Sequence, residues 1–186
     1  LITVAGTTIQ LGKPDSDATY GWDNEYGHRD IQLESFQASK YLVSNAEYLA
    51  FVQDGGYQQP QWWTEEGQGW LNFTKADKPT FWQGDAAQPQ SLQLRLMCKE
   101  IPMPWDWPVE TNQLEAAAYC RWKAARTGLP IQLPSEAEWM VLRNTIDVDQ
   151  PDWNKAPGNI NLEYWSSSCP IDQFRQGQFY DVIGNV

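Results

Sequence analysis

The sequence predicts a loop-rich α+β domain, and three observations predict it. Three runs open on Ser or Asn with Glu three residues later, the reciprocal capping arrangement that starts helices. They are Ser44 with Glu47, Asn112 with Glu115, and Ser135 with Glu138. Other short runs alternate apolar and polar side chains, as half-buried strands do. Long Gly- and Pro-containing stretches between them carry many of the 11 Trp, 8 Tyr and 6 Phe. Disordered chains are poor in aromatics, so this one folds. The rings are expected mostly to cover long connections rather than to line a binding face.

In order, residues 1–11 read as a hairpin, or as two short strands around Ala5 and Gly6. A polar loop with Pro14 follows. Y-G-W-D-N-E-Y-G-H (20–28) places carboxylates, an amide and rings between glycines. A cation- or amine-binding turn is one reading. The favoured one is a structural turn in which Asp23 and Asn24 bond nearby backbone. His28, the chain's single His, is expected at a turn or strand edge. Residues 30–40 alternate as one half-buried strand.

Ser44 then caps a helix over residues 45–53. It buries Tyr48, Leu49, Phe51 and Val52 and stops at Gly55 and Gly56. Residues 57–81 lack periodicity and predict long loops with at most short helical turns, a length that is often functional. Residues 92–96 alternate as a strand.

Residues 103–139 are the most densely signalled stretch. Pro108 stiffens an approach, and Asn112 caps a helix over 113–126 that presents Leu114, Ala118, Trp122 and Ala125 on one face. Gly128, before Leu129 and Pro130, stops it. Ser135 then opens a short second helix. Two or three helices are expected in all. Polar loops follow from residue 147, and the apolar end at 180–186 reads as interrupted.

Composition excludes whole classes. Thirteen Lys and Arg against 24 Asp and Glu give a net charge of -11. Phosphate backbones and anionic membrane surfaces need the opposite sign, so no nucleic acid and no membrane partner is expected. No apolar run suits a signal peptide or a transmembrane helix. Cys98, Cys120 and Cys169 form no C-x-x-C, which fits free thiols in the reducing cytoplasm. Cys120 is expected buried in its helix, and Cys169 exposed in its loop. One His permits neither a multi-His metal site nor an evident Ser/Cys–His pair. Oxygen ligands near Asp172 and Asp181 suit calcium, a hard cation.

Several motifs carry more than pattern. G-W-D-N-E-Y-G (21–27), L-V-S-N-A-E-Y-L-A-F-V-Q-D-G-G-Y (42–57), P-W-D-W-P-V-E-T-N (104–112), L-P-S-E-A-E-W (133–139) and D-V-I-G-N-V (181–186) together resemble the formylglycine-generating-enzyme/sulfatase-modifying-factor domain. W-D-N-E-Y-G, P-W-D-W-P-V-E, G-N-I-N-L (158–162) and S-S-C-P (167–170) are narrower. They are similar to the central domain of ovothiol-pathway 5-histidylcysteine sulfoxide synthases and, less closely, to ergothioneine-pathway enzymes.

The resemblance implies a C-type-lectin-like formylglycine-generating-enzyme fold over 1–186 as a single domain, a fragment truncated at both ends of a larger protein. It also implies an oxidoreductase that uses non-haem Fe(II) and O2 to join cysteine sulfur to histidine. The iron would be held by a preceding helical domain, so the fragment alone is expected to be inactive. Family members hold calcium. By the same resemblance Asp181, Gly184 and Val186 would belong to one calcium site, and Asn159 and Ile160 to another. Alternatives are a non-catalytic ligand-binding module on the same fold, an ergothioneine-pathway synthase or a formylglycine-generating oxidase.

Overall fold

Two antiparallel strand pairs open the chain in the computed structural model, which describes residues 1–146, 157–160 and 167–185. Strand β1 (Ile2–Val4) pairs with β4 (Phe36–Ala38), and β2 (Thr7–Leu11) with β3 (Arg29–Leu33). The first two strands therefore do not form a hairpin with each other, and the single strand expected over 30–40 is broken at Glu34 and Ser35. Both breaks lie side by side. A Cβ on Gly6 would come 2.8 Å from the Leu33 carbonyl oxygen, and the Ser35 hydroxyl donates to the Val4 carbonyl at 2.9 Å. This close backbone approach suits only a residue without a side chain.

The helices begin where the sequence placed them. Helix α1 (Asn45–Gln53), α3 (Gln113–Thr127) and α4 (Glu136–Asn144) each carry the complete reciprocal capping box. Helix α3 stops at Gly128 in the left-handed region, φ 71°. One helix was not expected: α2 (Glu65–Thr74) occupies part of the stretch read as loop. Its cap, Thr64, accepts from Gly67 N–H but has no Glu to complete a box. Gly67 and Gly69 lie within it, which lowers its propensity. Packing overrides that: a Cβ on Gly67 would sit 3.1 Å from the Trp63 ring. A small three-stranded sheet, β5 (Trp82–Gln83), β6 (Gln93–Arg95) and β7 (Glu100–Pro102), lies in the order β5-β6-β7. Strands β8 (Arg175–Gln176) and β9 (Phe179–Tyr180) pair near the end.

The core is largely aromatic. Tyr48, Phe51, Tyr57, Trp63, Trp82, Tyr119 and Trp122 are buried together with Leu92, Leu94 and Met103. Phe51 sits at its centre, fully buried, with Tyr48, Tyr57, Tyr119 and Trp122 as ring neighbours. Most Trp rings named here serve the core, as expected. The buried stripe of α3 differs from the expected face: Glu115, Ala118, Tyr119, Cys120 and Trp122 are buried, while Ala125 is exposed. Helix α3 is covered by α1, by α2 and by the helical turn Pro60–Trp62, so one narrow stripe does not describe it. Among the described residues no helix is long and apolar enough to cross a membrane.

Candidate functional site

Four of the residues singled out for calcium, Asp181, Gly184, Asn159 and Ile160, lie in one hydrogen-bonded knot near the end of the chain. Its hub is the Asn185 side chain, 3 % exposed. Asn185 Oδ1 accepts from Cys169 N–H at 2.7 Å and from Asn159 Nδ2 at 3.3 Å. Asn185 Nδ2 donates to the Cys169 carbonyl and to Asp181 Oδ2, both at 3.0 Å. Asn185 N–H donates to the Asn159 carbonyl at 3.0 Å. Asn159 Nδ2 also donates to the Ser167 carbonyl at 2.8 Å. One buried amide thus ties three chain segments.

The backbone must turn sharply to do this. Asp181, Gly184 and Asn185 have φ of 51°, 83° and 73°, the left-handed region that disfavours most side chains. At Gly184 a Cβ would also meet Ile160 Cγ2 at 2.7 Å and the Asn159 carbonyl at 2.8 Å. The two sets of residues assigned by resemblance to separate calcium sites therefore adjoin. Asp181, Gly184, Asn159 and Ile160 lie in this knot, and Val186 lies outside the described residues.

Asp181 is the chemically unusual member. It is 3 % exposed, and its Oδ1 has no hydrogen-bond partner among the described residues. Burial pushes its carboxyl up to about 6; the Asn185 hydrogen bond opposes that shift, and Asp172 adds to it. A buried carboxylate oxygen without a partner is costly; a proton, a water or a hard cation would each relieve it. Asp172 itself is exposed. Cys169, expected exposed, is fully buried. The knot closes over it, and burial, then Asp181 and Asp172, push its thiol up to about 11. It is therefore held as a thiol rather than a nucleophilic thiolate.

The P-W-D-W-P-V-E approach joins this knot to the core. The carbonyls of Trp107 and Trp105 accept from the N–H groups of Asn45 and Ala46 at 2.8 and 3.0 Å. The Pro104 carbonyl accepts from Asn45 Nδ2 at 2.9 Å, and Asn45 Oδ1 accepts from the Trp82 indole at 3.1 Å. These are first-turn helix donors that would otherwise lack partners. From the other side, Ile171 N–H donates to the Asp106 carbonyl, and the Ser168 hydroxyl donates to Glu110 Oε1 at 2.7 Å. No local pattern signals the Glu110 contact, whose partner lies 58 residues away.

In the 20–28 turn Asp23 makes the backbone bond that the structural reading expects. Asp23 Oδ1 accepts from Asn24 N–H at 3.0 Å. Lys13 organises the rest, donating to Thr19 Oγ1 at 2.6 Å and to the Tyr20 carbonyl at 2.8 Å. His28 is exposed beside β3, with its ring 3.3 Å from Asp30. No group of three or more His, Cys, Asp or Glu side chains suited to a metal ion occurs among the described residues.

Comparison with known proteins identifies the surroundings of these features. Residues 1–186 match the family described as the sulfatase-modifying factor enzyme 1-like domain. The hercynine oxygenase of Mycolicibacterium thermoresistibile is 29 % identical over 175 residues, covering 90 % of this chain and 35 % of that protein. That of Mycolicibacterium smegmatis is 33 % identical over 141 residues, 74 % of this chain and 30 % of the relative. The formylglycine-generating enzyme of Thermomonospora curvata is 24 % identical over 196 residues, covering 92 % of this chain and 58 % of that enzyme. The chain thus spans about a third of the hercynine oxygenases it matches. The structure of PvdO from Pseudomonas aeruginosa superposes with a TM-score of 0.61 at 16 % identity, over 100 % of this chain and 67 % of that one. That likeness establishes the fold.

Proposed function

Because the chain belongs to the sulfatase-modifying factor enzyme 1-like domain family, we propose that it is the substrate-side domain of a non-haem iron sulfoxide synthase. The reaction joins cysteine sulfur to the histidine imidazole with O2, on the ovothiol route, in the cytoplasm. The observation that carries this reading is the likeness to hercynine oxygenases across most of the chain. The narrower motifs W-D-N-E-Y-G and P-W-D-W-P-V-E favour the ovothiol branch over the ergothioneine branch. Free thiols at Cys98, Cys120 and Cys169 agree with a reducing compartment.

Iron does not fit the residues described here. The single His is exposed and faces Asp30, and the described residues offer no three-ligand group. In this reading the iron and its ligands belong to a preceding helical domain, and this chain alone is inactive. What the chain supplies is a rigid surface. Trp105, Asp106 and Trp107 are anchored by backbone bonds on both sides and are assigned to its support.

Calcium does fit. Asp181 would give its unpartnered Oδ1, with backbone carbonyls at Gly184 and Val186. Asn159 and Ile160 are assigned to an adjoining site by the same reasoning. Calcium there would fix the knot and take no part in the chemistry.

The test uses the full-length protein, loaded with iron without oxygen and then given cysteine, histidine and O2. A cysteine–histidine sulfoxide by mass spectrometry is expected. Product from hercynine but not histidine moves the reading to the ergothioneine branch. No sulfoxide from folded, iron-loaded protein with either acceptor rejects the reading.

A further inference from the structure

An unusual polar contact lies inside the aromatic core. Glu115 is 2 % exposed and Tyr57 is 5 % exposed. The Tyr57 hydroxyl donates to Glu115 Oε1 at 2.5 Å. The other carboxylate oxygen, Oε2, accepts from Asn112 N–H at 2.9 Å. A cap needs only that second oxygen. The first is left to hold a phenolic proton in a buried site, and the capping role does not account for it.

Rings lead away from this pair in two directions. On one side Trp63 lies 5.4 Å from Tyr57, and Trp70 stacks on Trp63 at 6.0 Å with an interplanar angle of 19°. On the other, the Tyr48 hydroxyl is 3.4 Å from the Tyr57 hydroxyl. Trp82 follows at 6.2 Å from Tyr48, and Trp105 at 6.4 Å from Trp82. Both ends, Trp70 and Trp105, are partly exposed, while every ring between them is buried. Trp and Tyr are the most readily oxidised side chains after the sulfur-bearing ones, and electrons tunnel rapidly between rings this close.

We propose that these residues form a built-in oxidation relay: an oxygen-centred radical such as a peroxyl, reduced to the hydroperoxide anion at Trp70 or Trp105, draws an electron from Tyr57 through the rings, and Tyr57 passes its phenolic proton to Glu115. The step balances. The Tyr57 O–H bond breaks, its proton forms an O–H bond with Glu115 Oε1, and one electron leaves to reduce the oxidant. The products are a neutral tyrosyl radical and a neutral carboxylic acid.

The surroundings favour those products. Before the step a buried carboxylate carries a full negative charge. Afterwards the pair is neutral, so the desolvation cost of that charge is removed. Burial accordingly favours the proton-bound form of Glu115, with the Tyr57 and Asn112 hydrogen bonds opposing. A water-exposed tyrosine has no such gain. Oε2 keeps its hydrogen bond to Asn112 throughout, so α3 remains capped. The relay goes beyond the proposed synthase activity, needs no metal on this chain, and would carry oxidising equivalents away from wherever they arise.

The test is flash photolysis of the full-length protein with tris(bipyridine)ruthenium(II) and a cobalt(III) ammine quencher, followed by freeze-quench EPR with ring-deuterated tyrosine. The exposed Tyr20 and Trp22 give radicals in every variant and serve as an internal reference. Tyr57→Phe is expected to remove a tyrosyl component seen in the unaltered protein. Glu115→Gln is expected to slow that component severalfold, as is Trp63→Phe, which leaves the hydrogen bond in place. Where Glu115→Gln does not fold, the unaltered protein in deuterated solvent still decides, because proton transfer slows there. A radical spectrum unchanged by Tyr57→Phe overturns the proposal. So does a Tyr57 radical that forms equally fast in both solvents.

Discussion

The aromatic core and the C-terminal knot are both buried, and they are stabilised in opposite ways. The core removes large rings from water, with Phe51 fully buried among four others. Burying apolar surface is non-directional and tolerates repacking. The knot has few rings. It depends on one amide, Asn185, on left-handed backbone at Asp181, Gly184 and Asn185, and on a carboxylate with one oxygen left over. The core is held mainly by apolar burial, whereas the knot is held by polar bonds and keeps one buried carboxylate oxygen without a partner among the described residues.

The largest effect should come from breaking the core. Phe51→Ala is expected to cost about 3–5 kcal/mol, read as a lower midpoint in urea. A midpoint within error of the parent would mean that the rings do not set stability.

Asn185→Ala should cost somewhat less, about 2–4 kcal/mol. It leaves the Cys169 N–H and carbonyl unpaired and puts a Cβ-bearing residue without a polar tip at positive φ. The damage should be local. Hydrogen exchange at Cys169 should accelerate far more than exchange in α1 or α3, and equal acceleration in both would erase the distinction between the regions.

Calcium sharpens the same contrast. At a concentration a hundred times its dissociation constant, a single bound ion stabilises by about 2.7 kcal/mol. A rise in melting temperature is expected, and Asp181→Ala should abolish it. A melting temperature that calcium leaves unchanged in the unaltered protein would remove the calcium assignment.

The smallest effect concerns Glu115, the buried carboxyl that the described residues place inside the core. Burial raises the Glu115 carboxyl above its usual range. The folded form therefore binds the proton more tightly than the unfolded chain does. Its contribution to stability is greatest below the unfolded carboxyl value, about 4.3, and is lost as pH rises through the folded value. Relative to the parent, Glu115→Gln should gain stability as pH rises through that window. A constant difference between the two would show that Glu115 is not strained by its charge.

The two regions also differ in how far they can be read from sequence. Caps are local: Asn112 and Glu115 are three residues apart, and both halves of that box form. The α3 stop at Gly128 is equally local. The partner of Glu115's other oxygen lies 58 residues away at Tyr57, and no local pattern encodes it. Helix α2 escaped because its cap lacks the matching Glu and its interior holds two glycines; its packing on Trp63 is tertiary. Of the two readings of residues 1–11, the two short strands around Ala5 and Gly6 form and the hairpin does not, since each strand finds its partner beyond residue 28. Cys169 is buried because Asn185 folds back over its backbone. The motif S-S-C-P identifies relatives without saying which atoms are covered.

The P-W-D-W-P-V-E segment of this chain is held to a fixed number of residues. Its carbonyls at 104, 105 and 107 are fastened to the start of α1, and Asp106 and Glu110 are fastened to residues 171 and 168. The two sets of attachments alternate along seven residues. A single insertion between Trp105 and Glu110 would slide one set out of step with the other, because each bond is specified by position along the chain. The segment therefore acts as a gauge of fixed length. Apart from Glu110, whose Oε1 takes the Ser168 hydroxyl, these attachments use backbone atoms of the segment, so they constrain its length more than its side chains.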